Sequence, residues 1–491
     1  MSRGCLASLL LAAALLAPGV AHAAVATAAR VHARTHAGRL PDRARVLPAA
    51  QRAFVDTLER RTFRFFWDTA EPVTGLTPDR WPTRSFASVA AMGFGLAAYP
   101  VGVERGWITR EQGLTRTLAT LRFLYRARQD SAATGTIGYR GFYYHFLNPT
   151  DGTRFERLEL SFIDTGLLVA GALVCGHYFD RPTAREREVG LLADSLYRRV
   201  DWRWMQVRAP LMALGWTPEQ GHLPYDTGHY NETMLELLLA MGSPTHPADP
   251  ATWKAYTKGY RWGRFHGQEY LGFAPLFGHQ SSHVFVDFRG IKDEFMRARG
   301  IDYFENSRRA TLAQRQYAID NPMGWADYDS LAWGLSACDG PVDGDFEIAG
   351  HKRHFQTYWA RGASHTEVQD DGTLTPNAAA GSMPFAPEVV IPSLMAMQSR
   401  YGERLWGTYG FLDAFNPSVR IPGHERDGID PARGWVDRDY LGIDQGLIVL
   451  MIENWRSGLL WSCMRKDSNL RRGLRAAGFR GGWLDARGAR R

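Results

Sequence analysis

Carboxylates recur in this chain at points where apolar helices should begin. In "HYNETMLELLLAMGSPTHP" (229–247), Asn231 can cap a helix whose apolar face is Met234, Leu235, Leu237, Leu238 and Met241. Gly242 and Pro244 then stop it. Glu232 follows the cap directly. It is either a first-turn acid favoured by the helix dipole or a carboxyl group at the lip of a pocket. Glu156, Glu159 and Asp164 crowd "ERLELSFIDTGLL", and Asp444 and Glu453 sit in "YLGIDQGLIVLMIENWRSGLLW". An acid at the start of so apolar a helix as Asp444's needs a partner or a wet cavity. "SHVFVDFRGIKDEF" adds Asp287, Arg289 and Asp293, "WGLSACDGP" adds Asp339, and "DDGTLTP" adds Asp370 and Asp371. Singly, each fits a cap, a turn or an ion pair. Jointly they suit glycoside hydrolysis, in which one protonated carboxyl donates to the leaving oxygen while a second carboxylate activates water or attacks the anomeric carbon. That chemistry takes no metal and no cofactor.

Other chemistries find less support. "GFGLAA" (93–98) fits a dinucleotide fingerprint, but no strand precedes it and no acid follows at the required distance. Close helix packing explains its small residues better. The chain has no G-x-S-x-G, H-E-x-x-H or Walker pattern, and its 15 His are scattered. Cys175, Cys338 and Cys463 are far apart and form no zinc motif, although one disulfide is open to them. Residues 464–491 hold nine Lys and Arg against two Asp, which accounts for the whole net charge of +7. A nucleic-acid binder would spread that charge over a face, so the expected partner is neutral and the basic terminus reads as a solvated helix. Aromatic residues make up 12% of the chain, many beside Gly, Pro and Asp in loops such as "GYRGFYYHF". Ring faces cover the C–H side of a sugar while polar groups take its hydroxyls.

The elements that must position these acids are helices. Amphipathic or apolar helical patterns span 51–67, 85–99, 110–127, 158–179, 184–199, 231–241, 293–318, 385–399 and 443–458. Strand patterns are sparse, "SSHVFVDF" being the best. The pattern predicts an all-α architecture of paired helices closing on themselves, with long loops over one end converging on a hollow. Residues 1–23 read as a cleavable signal peptide and 24–49 as an extension or linker. One domain over 50–483 and a basic tail over 484–491 complete the expected organisation. No later segment approaches a membrane span, so an exported, periplasmic or secreted protein is expected.

At these same segments the chain resembles the glucoamylase-like domain family, in particular the bacterial endo-β-1,2-glucanases of glycoside hydrolase family 144. The carrying motifs run in order over roughly 50–480: "SFASVAAMGFGLAAYPVGVERGWITREQ", "GFYYHFLNPTDGTRFERLELSFIDTGLL", "YNETMLELLLAMGSPTHP", "SSHVFVDFRGIKD", "WGLSACDGP", "DDGTLTPNAAAGSMPFAPE" and "YLGIDQGLIVLMIENWRSGLLW". The resemblance implies an (α/α)6 barrel and inverting attack on β-1,2-linked glucose chains without a cofactor. It implies that Glu232 is the general acid, with Asp444 as base and Glu159 as the rival base. Asp164, Asp287, Arg289 and Asp339, with Tyr144, His145, His283 and Trp333, are expected to hold the glucan. Two departures stand out: Gly166 where the family pattern has Ala, and Cys338 where Ser is common. An exo-acting or transglycosylating enzyme on the same fold, or a glucan-binding protein without turnover, are the rival readings.

Overall fold

Two kinds of helix alternate along the chain, and burial separates them. The computed structural model describes residues 42–486 except Ala349. The expected signal peptide therefore lies outside the described residues. In chain order, the main helices are α1 (Ala49–Thr69), α2 (Val89–Glu104), α3 (Arg110–Arg126), α4 (Phe162–Tyr178), α5 (Ala184–Arg198) and α6 (Met234–Gly242). They continue with α7 (Glu294–Arg299), α8 (Tyr303–Asp320), α9 (Pro387–Tyr401), α10 (Gly442–Arg456) and α11 (Ser468–Ala476). In α2, α4, α6 and α10 nearly every residue is buried, whereas α1, α3, α5 and α11 bury one face. An apolar helix buried all round must be covered on several sides by others. Accordingly α2 packs on α4 and α10, α4 on α5 and α6, α10 on α1, and α6 on α11.

Small residues set the tightest of these contacts. A Cβ on Gly171 of α4 would lie 2.0 Å from the Gly93 carbonyl oxygen of α2, so the two backbones touch where "GFGLAA" stands. The fingerprint-like glycine is a packing residue.

Helix starts differ from the sequence expectation in an informative way. Residues 85–88 and 158–161 do not continue α2 and α4. Ala87–Ser88 pairs with Phe146–Leu147, and Leu160–Ser161 pairs with Gly215–Trp216. Ser88 and Ser161 then cap the helices through their hydroxyls. The same strand-to-helix entry occurs at Tyr440–Leu441, which pairs with Arg80–Trp81 before α10. Short two- and three-stranded sheets of this kind occupy the loops. "SSHVFVDF" is not a strand: Ser281–Phe285 is a short helix. Its residues look alternating only because Val284, Phe285, Val286 and Phe288 are all buried. The pattern at 293–318 is two helices, separated at Gly300, which takes a left-handed φ of 75°.

The described residues begin at Asp42, ahead of the expected boundary at 50. Asp42 is ion-paired to Arg105 and Arg456, both at 2.8 Å. The three cysteines are free and buried. Helix α11 is not simply solvated: Leu470 and Leu474 are buried, and Arg472 donates to the Gly242 carbonyl that ends α6. Among the described residues, no helix is long and apolar enough to cross a membrane.

Candidate active site

The strand-to-helix entries converge. Ser161, Ile163 and Asp164 from the start of α4, Glu232 and Glu236 at the start of α6, and Ile443 and Asp444 from the start of α10 line one cavity of about 380 Å³. Asp164 and Asp444 each occupy the third position of their helices, where the dipole favours a negative charge. Glu232 precedes its helix, which begins only at Met234. Asn231 caps the turn rather than the helix, accepting from the Thr233 N–H and hydroxyl, and the Ser282 hydroxyl donates to the Glu232 carbonyl at 2.6 Å. Phe94, Leu167, Phe277 and Leu447 make the apolar wall, and Tyr225, Tyr358 and Ile443 form the exposed rim.

Burial in this apolar wall, with Asp164 nearby, pushes the Glu232 carboxyl up to about 7. Its Oε2 is buried and meets no donor. One turn on, Glu236 is fully buried with neither oxygen bonded, and burial together with Glu232 drives it well above the carboxylate range. Burial raises Asp444 to about 7; Asp339 and Asp79 act in the same sense, and hydrogen bonds from Asp413 and Asn377 oppose them. Glu159 behaves oppositely. Burial is outweighed by His145, whose Nδ1 lies 2.8 Å from Glu159 Oε1, and the carboxyl is held low. Burial likewise opposes the charge on His145, but Asp164, Glu159 and Asp79 outweigh it and raise the ring to about 9. One wall therefore carries an ionised acid against an imidazolium, and elsewhere Glu232 and Asp444 sit near neutrality.

The structure thus brings Glu159, Asp164, Glu232, Asp444 and His145 to one cavity. It does not bring the other expected ligands there. Trp333 is fully buried in the core, its indole donating to Ser393. His283 is fully buried against the Ser307 hydroxyl, and burial holds its ring down at about 3. Tyr144 is buried under the Arg154 guanidinium. Asp287 is clamped by Arg289 and Arg465, and Arg289 lies over Trp461 at 4.2 Å. These residues pack the scaffold because aromatic rings and ion pairs serve a core as well as a ligand. Asp339 lines a neighbouring polar hollow of about 480 Å³ with Arg80, Asp437 and Asp439. There Asp339, Asp413 and Asp437 bring carboxylate oxygens within 4.8 Å of one another, a spacing that suits a cation, and Arg80 supplies positive charge 2.6 Å from Asp339 Oδ2. Sequence reasoning passed over Glu236, Asn377 and Asp413. Glu236 was legible as the residue one helical turn beyond Glu232.

A family model described as "Putative glucoamylase" matches residues 224–468. The chain is similar to the exo β-1,2-glucooligosaccharide sophorohydrolase (non-reducing end) of Parabacteroides distasonis, with 28% identity over 458 residues covering 87% of this chain. It spans only 58% of that relative's length. Among solved structures, the endo-β-1,2-glucanase from Chitinophaga pinensis in complex with sophorotriose and glucose superposes with a TM-score of 0.75. Its identity is 26%, over 89% of this chain and 100% of that one. A β-1,2-glucanase from Parabacteroides distasonis gives a TM-score of 0.74 at 25% identity, over 88% of this chain and 60% of that one.

Proposed function

We propose that the chain is a glycoside hydrolase of the glucoamylase-like family and that it hydrolyses β-1,2-linked glucan outside the cytoplasm. One observation carries this reading: Glu232 and Asp444, both raised to about 7, line the same cavity under an aromatic rim. A general acid must hold a proton at working pH and a general base must lack one, so groups tuned near neutrality serve both roles best. Glu232 donates to the leaving oxygen, and Asp444 takes the proton of the attacking water, directly or through one further water. Glu159 is the weaker candidate for base, because His145 already holds its charge. Tyr225 and Tyr358 cover sugar faces at the mouth, and neutral glucose units suit a wall without an unpaired cation. The succession of inner helices α2, α4, α6 and α10 supports an (α/α)6 toroid, and the "FID" and "GID" helix entries explain why its acids meet at one end. The base-assisted attack is inverting. Export follows from the apolar run at 1–23.

Endo cleavage is the first reading. The exo name of the P. distasonis relative favours a second, in which the same site releases disaccharide units from one end. Incubation with β-1,2-, β-1,3-, β-1,4- and α-1,4-glucans decides both questions. Hydrolysis of the β-1,2-glucan alone is expected, with mixed oligomers for endo action and uniform disaccharide for exo action. Turnover confined to another linkage, or binding of β-1,2-glucan without turnover, contradicts the proposal.

A further inference from the structure

Glu236 has no part in the chemistry above, and nothing in the scaffold accounts for a carboxyl in its place. It lies in the first turn of α6, where Leu235, Leu237, Leu238, Leu239 and Met241 are all buried core residues. The side chain is 0% exposed, and neither Oε1 nor Oε2 meets a donor. The charged groups acting on it, Glu232 and Asp164, are both acids. An ionised carboxyl cannot persist there, so this one is neutral, with one O–H to give and one oxygen to accept.

The carboxyl faces the cavity. Glu236 lines it with Glu232, which is only partly buried, and with Phe94, Leu167 and Leu447 of the apolar wall. Burial therefore deepens along α6, away from the exposed rim of Tyr225 and Tyr358. Helix α4 backs the side chain: a Cβ on Gly166 would lie 2.3 Å from Glu236 Cγ and 2.9 Å from Oε1. The alanine of the family pattern would leave no room for Glu236 in its present place. A glycine on one helix and an acid on the next, both unexpected in an apolar wall, meet at one spot.

Resting on the reading that this cavity takes a glucan, we infer that Glu236 is a specificity-determining residue. At the inner end of the cavity its carboxyl hydrogen-bonds a hydroxyl of the glucose unit held beside Glu232, and Gly166 makes the room for it. A sugar hydroxyl both gives and accepts, which matches the two functions of a neutral carboxyl. Phe94, Leu167 and Leu447 offer a hydroxyl nothing, so without Glu236 it would be buried unpaired. A unit lacking that hydroxyl leaves the carboxyl unpaired and is rejected, whereas the rim tyrosines select only for a ring face. Glu236 gives up no proton in the reaction; that step stays with Glu232.

The test compares wild type, Glu236→Gln and Glu236→Leu on the glucan that the wild type cleaves. Gln keeps a donor and an acceptor in nearly the same shape and should lose less than about tenfold in kcat/KM. Leu removes both, so kcat/KM should fall about 10²-fold without a lower melting temperature. A merely structural carboxyl would not respond to the substituents of the sugar, so binding is the sharper readout. Calorimetry takes the β-1,2-linked glucose disaccharide and its monodeoxy forms. One monodeoxy form should bind the wild type at least about tenfold more weakly than the parent, yet bind Glu236→Leu as well as the parent does. Undiminished activity in folded Glu236→Leu, or the same deoxy ranking in both proteins, overturns the inference. Should Glu236→Leu not fold, Glu236→Ala takes its place in both measurements. A wild type that binds the disaccharide but cleaves nothing sinks the proposed function alone, and the deoxy comparison still decides here. A wild type that binds no sugar sinks both.

Discussion

Helix α10 carries two buried acids nine residues apart, and they live in different electrostatic worlds. Glu453 accepts from Arg105 Nε at 2.6 Å, and the neighbouring Arg456 bonds Glu59 at 2.7 Å and Asp42 at 2.8 Å. Asp444 accepts from the Asn377 amide, and the Arg80 guanidinium is bonded to Asp339. In both regions a second acid raises a buried carboxyl, Glu453 acting on Glu59 and Asp444 on Asp413. What separates them is the cation. Around Glu453 two arginines are bonded to the acids: burial and Glu453 still raise Glu59 against them, whereas burial opposes the ionisation of Asp42 but Arg456 and Arg105 outweigh it and hold that carboxyl well below its usual range. Among the main groups acting on Asp444 there is no cation, and burial raises it to about 7. Burial of a carboxyl therefore says little about function until its counter-charge is located.

The comparison can be broken or sharpened by substitution. Glu232→Gln has the largest expected effect. It keeps shape and removes the proton donor, so kcat/KM on β-1,2-glucan should fall by about 10³-fold with the melting temperature nearly unchanged. Sugar release at the wild-type rate would remove Glu232 from the chemistry. Arg456→Met acts on the other region. It leaves Asp42 and Glu59 with Arg105 alone and takes away the partner of Asp56, and should cost about 3–5 kcal/mol of stability, as for other broken buried pairs. Thermal unfolding reads the loss, and the surviving folded enzyme should turn over normally.

Smaller effects probe the cavity wall. A Cβ on Gly166 would lie 2.3 Å from Glu236 Cγ, so Gly166→Ala should destabilise by about 1–3 kcal/mol. The same change in a Glu236→Ala background should cost nothing, and additive losses would show that the two residues are not coupled. Glu236→Gln addresses protonation. Folded Glu236 keeps its proton far above 4.5, whereas the unfolded chain loses it near that value. The folded state then binds more protons, and this group's contribution falls as pH rises, by up to about 1.4 kcal/mol per unit. Glu236→Gln should gain on the wild type as pH rises from 4.5, measured by denaturant unfolding at several pH values. Parallel stability curves would contradict a neutral Glu236.

Much of this was legible in the chain before its structure. The acids of "SFIDTG", "YNETM" and "GIDQG" announce themselves because a charge beside so many apolar residues needs a reason. Their meeting in one cavity follows from each sitting at a helix start. The strands at 87–88, 160–161 and 440–441 were not legible: two residues are too few to show a period, and only pairing partners far along the chain create them. Asp287, Arg289, His283 and Trp333 were expected at the ligand because local sequence cannot tell an aromatic or ionic core from an aromatic or ionic cleft. Asp413 was overlooked for the opposite reason, since it meets Asp339 and Asp437 only through contacts far along the chain.

The most direct test sets the two acids of α10 side by side, with Asp444→Asn and Glu453→Gln assayed on the same glucan and melted in the same buffer. The predicted result is a fall of about 10³-fold in kcat/KM for Asp444→Asn with its fold intact, and a lowered melting temperature with near-normal turnover for Glu453→Gln. A fully active Asp444→Asn enzyme, or a Glu453→Gln enzyme that is stable but inert, would contradict the claim that the missing counter-charge marks the reacting carboxyl.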